Sequence, residues 1–470
     1  MNDPRPVHAP TRELAEWVSR LRHADLSPRT REVVRILLLD TLGCGVYGYA
    51  TPWAKTLLQW ARAGAPAAGQ NKGVATVWGE TAPSLRASDA ALVNGTAVHA
   101  FELDDYHQAK LHPGAVVIPA ALAMAEKLGS SGEKLVTAIA AGYEVMIRTS
   151  LALNPSAARL RGWHLTGVCG PFGAAAACAS LMGLNGEQTA WALGLAGTQG
   201  SGLWAFNADG TMSKRFHAGR AAQSGVMAAE LAEMGFTGPT QIYEFHDGGV
   251  LKAFSDASDP APLTRDLGKV FHLDATSIKP YSCCGSTHSY VDAALELRRK
   301  LGTPWKADRP VKLGMAKVVD VQCGFDYVPS SALNAQMSLR YIVAAALSEG
   351  QALPPQFSDA KIADPSLTAL AGRLKCEHDP ALDKLYPARF AAWIAAQDNQ
   401  GQWQRVDVLD PLGSTANPVD AKGVVEKFRG INPQLPVDDI AEVAYHIERH
   451  PVRKLLDLLT TKQTRTLQSA

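Results

Sequence analysis

The chain has almost no net charge. Its 470 residues carry 46 Lys and Arg against 45 Asp and Glu, a formal balance of +1. That balance gives no support to nucleic acid or an anionic membrane as a partner. No run of 18 apolar residues occurs, so the sequence predicts no bilayer-spanning helix. The opening MNDPRPVHAPTRELAEW lacks the apolar centre of a signal peptide. Cysteine is sparse, with seven residues at 44, 169, 178, 283, 284, 323 and 376, an odd number with no CxxC spacing. This argues against a cysteine-based zinc site and predicts a reduced, cytoplasmic protein. A Walker loop, HExxH and GxSxG are all missing, which removes the commonest nucleotide, metalloprotease and serine-hydrolase readings. What remains is a soluble chain long enough for two or more domains, each with its own core.

The richest stretch is Gly95 to Ala120, GTAVHAFELDDYHQAKLHPGAVVIPA. His99, Glu102, Asp104, Asp105, Tyr106, His107, Lys110 and His112 crowd together between segments of small residues. That framing predicts a segment held inside the protein, and titratable groups in a cleft are the material of acid–base catalysis. The three histidines are spaced eight and five apart, unlike a helical ligand pair, and Lys110 sits among them, so the expectation is no metal.

Apolar residues recur at three and four from Glu13 to about Phe236, predicting a large all-helical bundle rich in Ala and Gly. Its Gly43-Cys44-Gly45-Val46-Tyr47-Gly48 matches GxGxxG, but the preceding residues have helical period and no acid follows until Glu80. A glycine cluster at a helix end explains it better than a dinucleotide site. From about Ser277 the texture becomes mixed. AKVVDVQCGFDYV reads as a strand, NAQMSLRYIVAAALSEG as an amphipathic helix, and ARFAAWIAAQDNQGQWQRVDVLDP as a hairpin about Asn399-Gln400-Gly401. Helical texture returns after Pro418. The expected fold is therefore mainly α: a helical domain over 1–273, a smaller α+β lid domain over 274–415, and C-terminal helices over 416–470 packing back on the first domain.

Three further segments carry polar groups. His164 lies in a loop before the Ala-rich helix 170–182, where it either meets an anion at the helix end or acts as a buried cap. Lys214 and Arg215 stand where two helices join, suited to a carboxylate substrate or serving as ordinary helix-terminal charges. The hinge segment IKPYSCCGSTH places Lys279, Tyr281, Cys284 and His288 before a helix that its Gly-Ser-Thr-His can cap. Cys284 as a nucleophile needs a neighbouring base, which sequence does not show.

Together HAFELDDYHQAKLHPGAVVIPAALA, GYEVMIR, GWHLTGVCGPFGAAAA, the Lys214 segment and KPYSCCGSTH, in this order, resemble the MmgE/PrpD family over nearly the whole chain. That family includes 2-methylcitrate dehydratase, cis-aconitate decarboxylase and iminodisuccinate epimerase. The resemblance implies a helical domain and a lid with the site between them, a homodimer, and no metal or organic cofactor. By motif, His112 is similar to the family's active-site histidine, Lys214 to its substrate-binding lysine, His164 to the histidine before the Ala-rich helix, and Lys279 to the lysine opening the lid segment. Tyr143 lies in the GYEV motif, where a tyrosine is a proposed base in the epimerase type. Glu102, Tyr106 and Cys284 depart from the decarboxylase pattern, which has Asp, Thr and His there.

The resemblance thus implies a lyase acting on a small di- or tricarboxylate by proton abstraction next to a carboxylate, with His112 or Tyr143 as base. Lys214, His164 and Lys279 would hold carboxylates, and Glu102, Asp105, Tyr106 and Cys284 would line the substrate. The three departures argue against cis-aconitate decarboxylation. An epimerase of an iminodisuccinate-like dicarboxylate and a non-catalytic carboxylate binder are the alternatives.

Overall fold

A computed structural model describes residues 9–64, 74–80, 85–208, 210–386 and 388–459. The N-terminal MNDPRPVH and Asp209 of the Lys214 segment lie outside the described residues. The chain forms two compact units. Unit 1 comprises the described residues of Met1–Ala100, Asp104–Thr276 and Ala421–Ala470, and unit 2 comprises Phe101–Leu103 and Ser277–Asp420. The divisions after Thr276 and Asp420 fall three and five residues beyond the expected ones, and Phe101–Leu103 belongs to unit 2 although it lies within the polar stretch.

Unit 1 is helical apart from a two-residue antiparallel ribbon, Val74–Ala75 with Leu85–Arg86. Six of its helices carry the argument: Pro28–Tyr49, Ala87–Val98, Gly114–Leu128, Gly132–Ala152, Leu165–Met182 and Ser213–Glu233. Local chemistry sets their ends. Ser27 and Ser131 accept backbone N–H bonds at the starts of two of them. Left-handed Gly129 and Gly183 end two others. The C-terminal helix Ala421–Ile431 packs on Pro28–Tyr49, where the buried Lys427 ammonium meets Asp40 at 2.6 Å.

By length and composition, Gly132–Ala152 and Leu165–Met182 are apolar enough to cross a membrane, which corrects the expectation that no helix would be. Their apolarity has a local cause: both are almost wholly buried among the other helices of unit 1. The GxGxxG glycines fall in the last two turns of helix Pro28–Tyr49, at the helix end as expected. A Cβ on Gly45 would stand 2.5 Å from the Trp78 ring, and one on Gly48 would stand 1.8 Å from the Ala97 carbonyl oxygen. These glycines let neighbouring backbone and ring approach; they cradle no phosphate. The Ala-rich helix begins at Leu165, earlier than expected, which makes His164 its N-cap residue.

Unit 2 holds a four-stranded mixed sheet in which Lys375–His378, Val311–Met315, Ala392–Gln397 and Trp403–Val408 are neighbours in that order. The first pairing is parallel and the other two antiparallel, the last being the hairpin around Asn399-Gln400-Gly401. Helix His288–Leu301 packs against the sheet. The expected strand over 316–328 is a helix at Lys317–Cys323, and the strand precedes it at Val311–Met315. The β-branched run VVDV misled: Val319 is buried while Val321 is 77% exposed, a helical and not an alternating pattern. The helix expected over 334–350 breaks at Ser338, whose hydroxyl accepts from the Tyr341 N–H. Thr287 precedes helix His288–Leu301 without capping it, because its hydroxyl donates to the Cys284 carbonyl.

Close helix approach makes a paired prediction. Gly48→Ala forces a methyl into backbone and is expected to cost about 1–3 kcal/mol or more, as overpacking does. Gly430→Ala, in a helix with nothing within 4 Å of the new carbon, is expected to stabilise by about 0.5–1 kcal/mol. Thermal melts of both variants decide it; a Gly48→Ala protein as stable as wild type contradicts the packing described.

Candidate functional site

The polar stretch folds as a turn between helices Ala87–Val98 and Gly114–Leu128, and its acidic pair is buried. Asp104 and Asp105 are adjacent in sequence and face different partners. The Asp104 carboxylate accepts from His99 Nδ1 at 2.7 Å and lies 3.4 Å from His112 Nδ1. The Asp105 carboxylate accepts from the Gly114 N–H at 2.9 Å and from the Tyr143 hydroxyl at 2.8 Å. The Asp105 backbone carbonyl accepts a hydrogen bond from His112 Nδ1 at 2.8 Å. A carbonyl only accepts, so Nδ1 of His112 carries the hydrogen and Nε2 presents the lone pair. Gly114 is required here: a Cβ would stand within 2.9 Å of the Thr41 hydroxyl, the Asp105 carboxylate and the Tyr143 hydroxyl.

Charge follows from this geometry. Burial works against the charge of Asp104, but His99 and His112 outweigh it and hold its carboxyl well below the usual range. Burial, then the charge of Asp104, pushes Asp105 up to about 7. Burial lowers His99 to about 3, against the pull of Asp104. Asp104 is therefore an anion between two imidazoles, one of them fully buried and neutral. His112 is the half-buried member of the group and the one with access to solvent.

Three more groups of unit 1 join the cluster. The His164 ring stacks 5.9 Å from His99, and its Nδ1 lies 3.1 Å from His217 Nδ1, so the two imidazoles share one proton. Burial, then the neighbouring His99 and His217, lowers His164. Lys214 sits buried in the first turn of helix Ser213–Glu233, and its charge acts on both His99 and His217. A cation there opposes the helix dipole, an arrangement that a bound anion relieves. Tyr106 is half-buried in the same turn as Asp105.

Two expected roles change. Tyr143 is fully buried, and burial and then Asp105 raise its phenol well above the ordinary value, so it donates to Asp105 and is a poor base. The Asp105 carboxylate is engaged by Tyr143 through one oxygen and by Gly114 through the other, which ties it to the turn. Sequence reasoning left His217 unassigned and did not pair Asp104 with His99; their partners lie on separate helices or at a spacing that no motif encodes.

His99, Asp104 and His112 also bring one donor atom each within 4.8 Å of one another. In the hydrogen bonding described above, the Nδ1 atoms of both rings face oxygen acceptors.

Unit 2 carries its own polar group. Lys279 Nζ meets the Glu102 carboxylate at 3.1 Å, both side chains being buried, and Glu102 takes a left-handed backbone with φ of 53°. The Ser282 hydroxyl and the Gln336 amide donate to the Phe101 carbonyl at 2.7 and 2.8 Å. Cys284 Sγ lies 3.0 Å from the Ser286 hydroxyl, and hydrogen bonding from Cys323 and then Ser286 lowers its thiol.

The buried histidines make stability depend on pH. Burial lowers His99 to about 3 and His107 and His272 to about 4, and lowers His164 and His217 as well. Each is neutral when folded but charges in the unfolded chain below its ordinary 6.5, so stability falls as pH drops from there toward the folded values. Asp105, raised to about 7, and Glu144, raised to about 6, act the other way and lose stability as pH rises through those values. Burial raises Glu80, Asp274 and Asp292 as well. Five histidines lose stability as pH falls below 6.5, whereas Asp105 and Glu144 are the carboxyls carried up to about 7 and 6, so the melting temperature is expected to fall between pH 7 and pH 5. A melting temperature that rises over that window contradicts the burial of these rings.

The MmgE/PrpD N-terminal domain matches residues 12–263 and the MmgE/PrpD C-terminal domain matches residues 281–449. The cis-aconitate decarboxylase-like protein oryM of Aspergillus oryzae is 30% identical over 451 residues, 91% of this chain and 92% of that protein. The cis-aconitate decarboxylase of Aspergillus terreus is 29% identical over 475 residues, 96% of this chain and 95% of that protein. The cis-aconitate decarboxylase of Mus musculus is 28% identical over 435 residues, 90% of this chain and 86% of that protein. With both domains matched in order across most of its length, the chain belongs to the MmgE/PrpD family.

Proposed function

We propose that the protein is a lyase acting on a small di- or tricarboxylate, with proton transfer at the carbon next to a carboxylate. The observation that carries this reading is His112: half-buried, with Nδ1 held by the Asp105 carbonyl and Nε2 presented as a base, in a cluster whose His99 feels the buried cation Lys214. Removing or returning a proton at that carbon spreads negative charge onto the carboxylate. Lys214, fixed in place and partly desolvated, stabilises that charge where it develops. His112 moves the proton. His164 and His217, neutral and sharing one proton, supply hydrogen bonding without adding charge.

The relatives are named for cis-aconitate, a small tricarboxylate, which supports the substrate class. Glu102, Tyr106 and Cys284, which depart from the decarboxylase pattern, leave the fate of the carbanion to experiment. In dehydration His112 takes the proton and the β-hydroxyl then leaves as water; in decarboxylation loss of CO2 itself forms the carbanion, and protonated His112 returns a proton to it.

Proton NMR in D2O with 2-methylcitrate, citrate, cis-aconitate, malate and iminodisuccinate tests the reading. A new vinyl signal, loss of a carboxylate or deuterium uptake next to a carboxylate is expected with one of them. His112→Ala and Lys214→Ala are each expected to cut turnover by about a hundredfold or more. Turnover near wild type in folded His112→Ala removes His112 as the base. Silence across the panel overturns the lyase reading for this substrate class.

A further inference from the structure

Asp104 is not among the residues the family resemblance assigns, yet it is the most connected anion of the cluster. We propose that Asp104 is a positioning residue that acts through His112: its carboxylate stabilises the imidazolium formed when Nε2 takes a proton, while His99 locks that carboxylate in place. This rests on His112 being the base of the proposed reaction. The geometry has three parts. His99 Nδ1 donates to Asp104 at 2.7 Å, which fixes the carboxylate from its fully buried side. The same Asp104 oxygen lies 3.4 Å from His112 Nδ1, which donates to the Asp105 carbonyl at 2.8 Å. The His99 and His112 rings lie 4.7 Å apart, tilted by 59°, so both edges converge on one oxygen.

The arrangement divides the labour between two neighbouring residues. The Asp105 carbonyl sets which nitrogen of His112 carries the hydrogen, and Asp104 supplies a fixed charge beside it. That charge is nearly absent from the ground state's needs, since a neutral ring gains little from it. It counts when the ring becomes positive, which is when the substrate proton has moved. The acid of a Ser-His-Asp triad works in this way on its imidazole.

Other charged and titratable groups face the same cluster. Lys214 reaches it from the start of helix Ser213–Glu233, and His164 from the start of helix Leu165–Met182. Tyr143 with Asp105 reaches it from helix Gly132–Ala152, and Cys44, Asp40 and Lys427 from the helices Pro28–Tyr49 and Ala421–Ile431. Lys214 opposes protonation of these rings, and Asp104 is the anion in contact with both His99 and His112 that offsets it.

The first test reads the wild-type protein without substrate. In histidine-labelled protein, ring nitrogen NMR is expected to show both His99 and His112 with the hydrogen on Nδ1, their signals identified by loss in His99→Gln and His112→Ala. A His112 with its hydrogen on Nε2 overturns the proposal, whether or not any substrate is turned over. The second test is Asp104→Asn, which keeps the volume and removes the charge. With the substrate found above, kcat is expected to fall at least tenfold with KM within about threefold. Asp104→Glu is expected to restore part of the loss. A merely structural aspartate would not confine its effect to kcat, and a folded Asp104→Asn protein with wild-type kcat overturns the proposal. If Asp104→Asn does not fold, or if no polycarboxylate is turned over, the wild-type tautomers decide alone, apart from the lyase reading.

Discussion

Two neighbouring carboxylates are buried in one turn, and the chain must prevent both from being bare anions. Placing like charges side by side in a dry interior is costly, and burial alone disfavours each of them. The structure resolves this by giving them unlike environments. Asp104 receives two imidazoles and stays charged, while Asp105 receives a phenol and one backbone N–H and is raised to about 7. The rest of the site follows. Asp105, turned toward Tyr143 and Gly114, leaves its backbone carbonyl for His112 Nδ1. That bond fixes the ring, and the ring's other nitrogen becomes the reactive one.

Such a turn needs a rigid frame, and small residues supply it. A Cβ on Gly95 would stand 2.7 Å from the Ala115 carbonyl oxygen and 3.0 Å from the Gly219 Cα, so three helices meet there nearly backbone to backbone. His99, His112 and Lys214 lie just beyond the ends of those helices or in their first turn. Close packing therefore places the three groups together without any long side chain reaching across. A second buried anchor pins the outer wall of unit 1. Arg148 pairs with Glu144 at 2.9 Å and donates to the carbonyls of Pro262, Arg265 and Val270, while Glu144 accepts from the His272 and Leu273 N–H groups. Every charged end of that pair is used, which is the condition under which a buried ion pair is tolerable.

Much of this was legible in the sequence, and the reasons for the exceptions are physical. Helical periodicity located the helices of unit 1 because each has a buried face, and clustering of His, Asp, Glu and Lys between small residues located the polar turn. The misread strand at 316–328 has a run of β-branched residues that packing overrides. The GxGxxG letters reflect close approach inside a helix, where glycine serves for its lack of a side chain. The roles of Tyr143 and Asp105 were hidden because a motif gives the presence of a group but not the direction of its proton. His217 was invisible for a different reason: its partner His164 is 53 positions away, at the start of another helix.

The two lysines that the resemblance singles out stand in different surroundings. Lys279 is paired with Glu102 inside unit 2, and a buried ion pair at 3.1 Å carries no net charge. The extra methylene that Glu102 has over an aspartate lengthens its reach by one bond, and its left-handed backbone aims it at the ammonium. Lys214 is different. Its charge falls on His99 and His217, and it stands at a helix start whose own dipole is also positive. Lys214 and its helix start thus face the same imidazoles that hold the Asp104 anion, so a cation and an anion act on one cluster, and on the proposed reading that is where a substrate carboxylate meets the base.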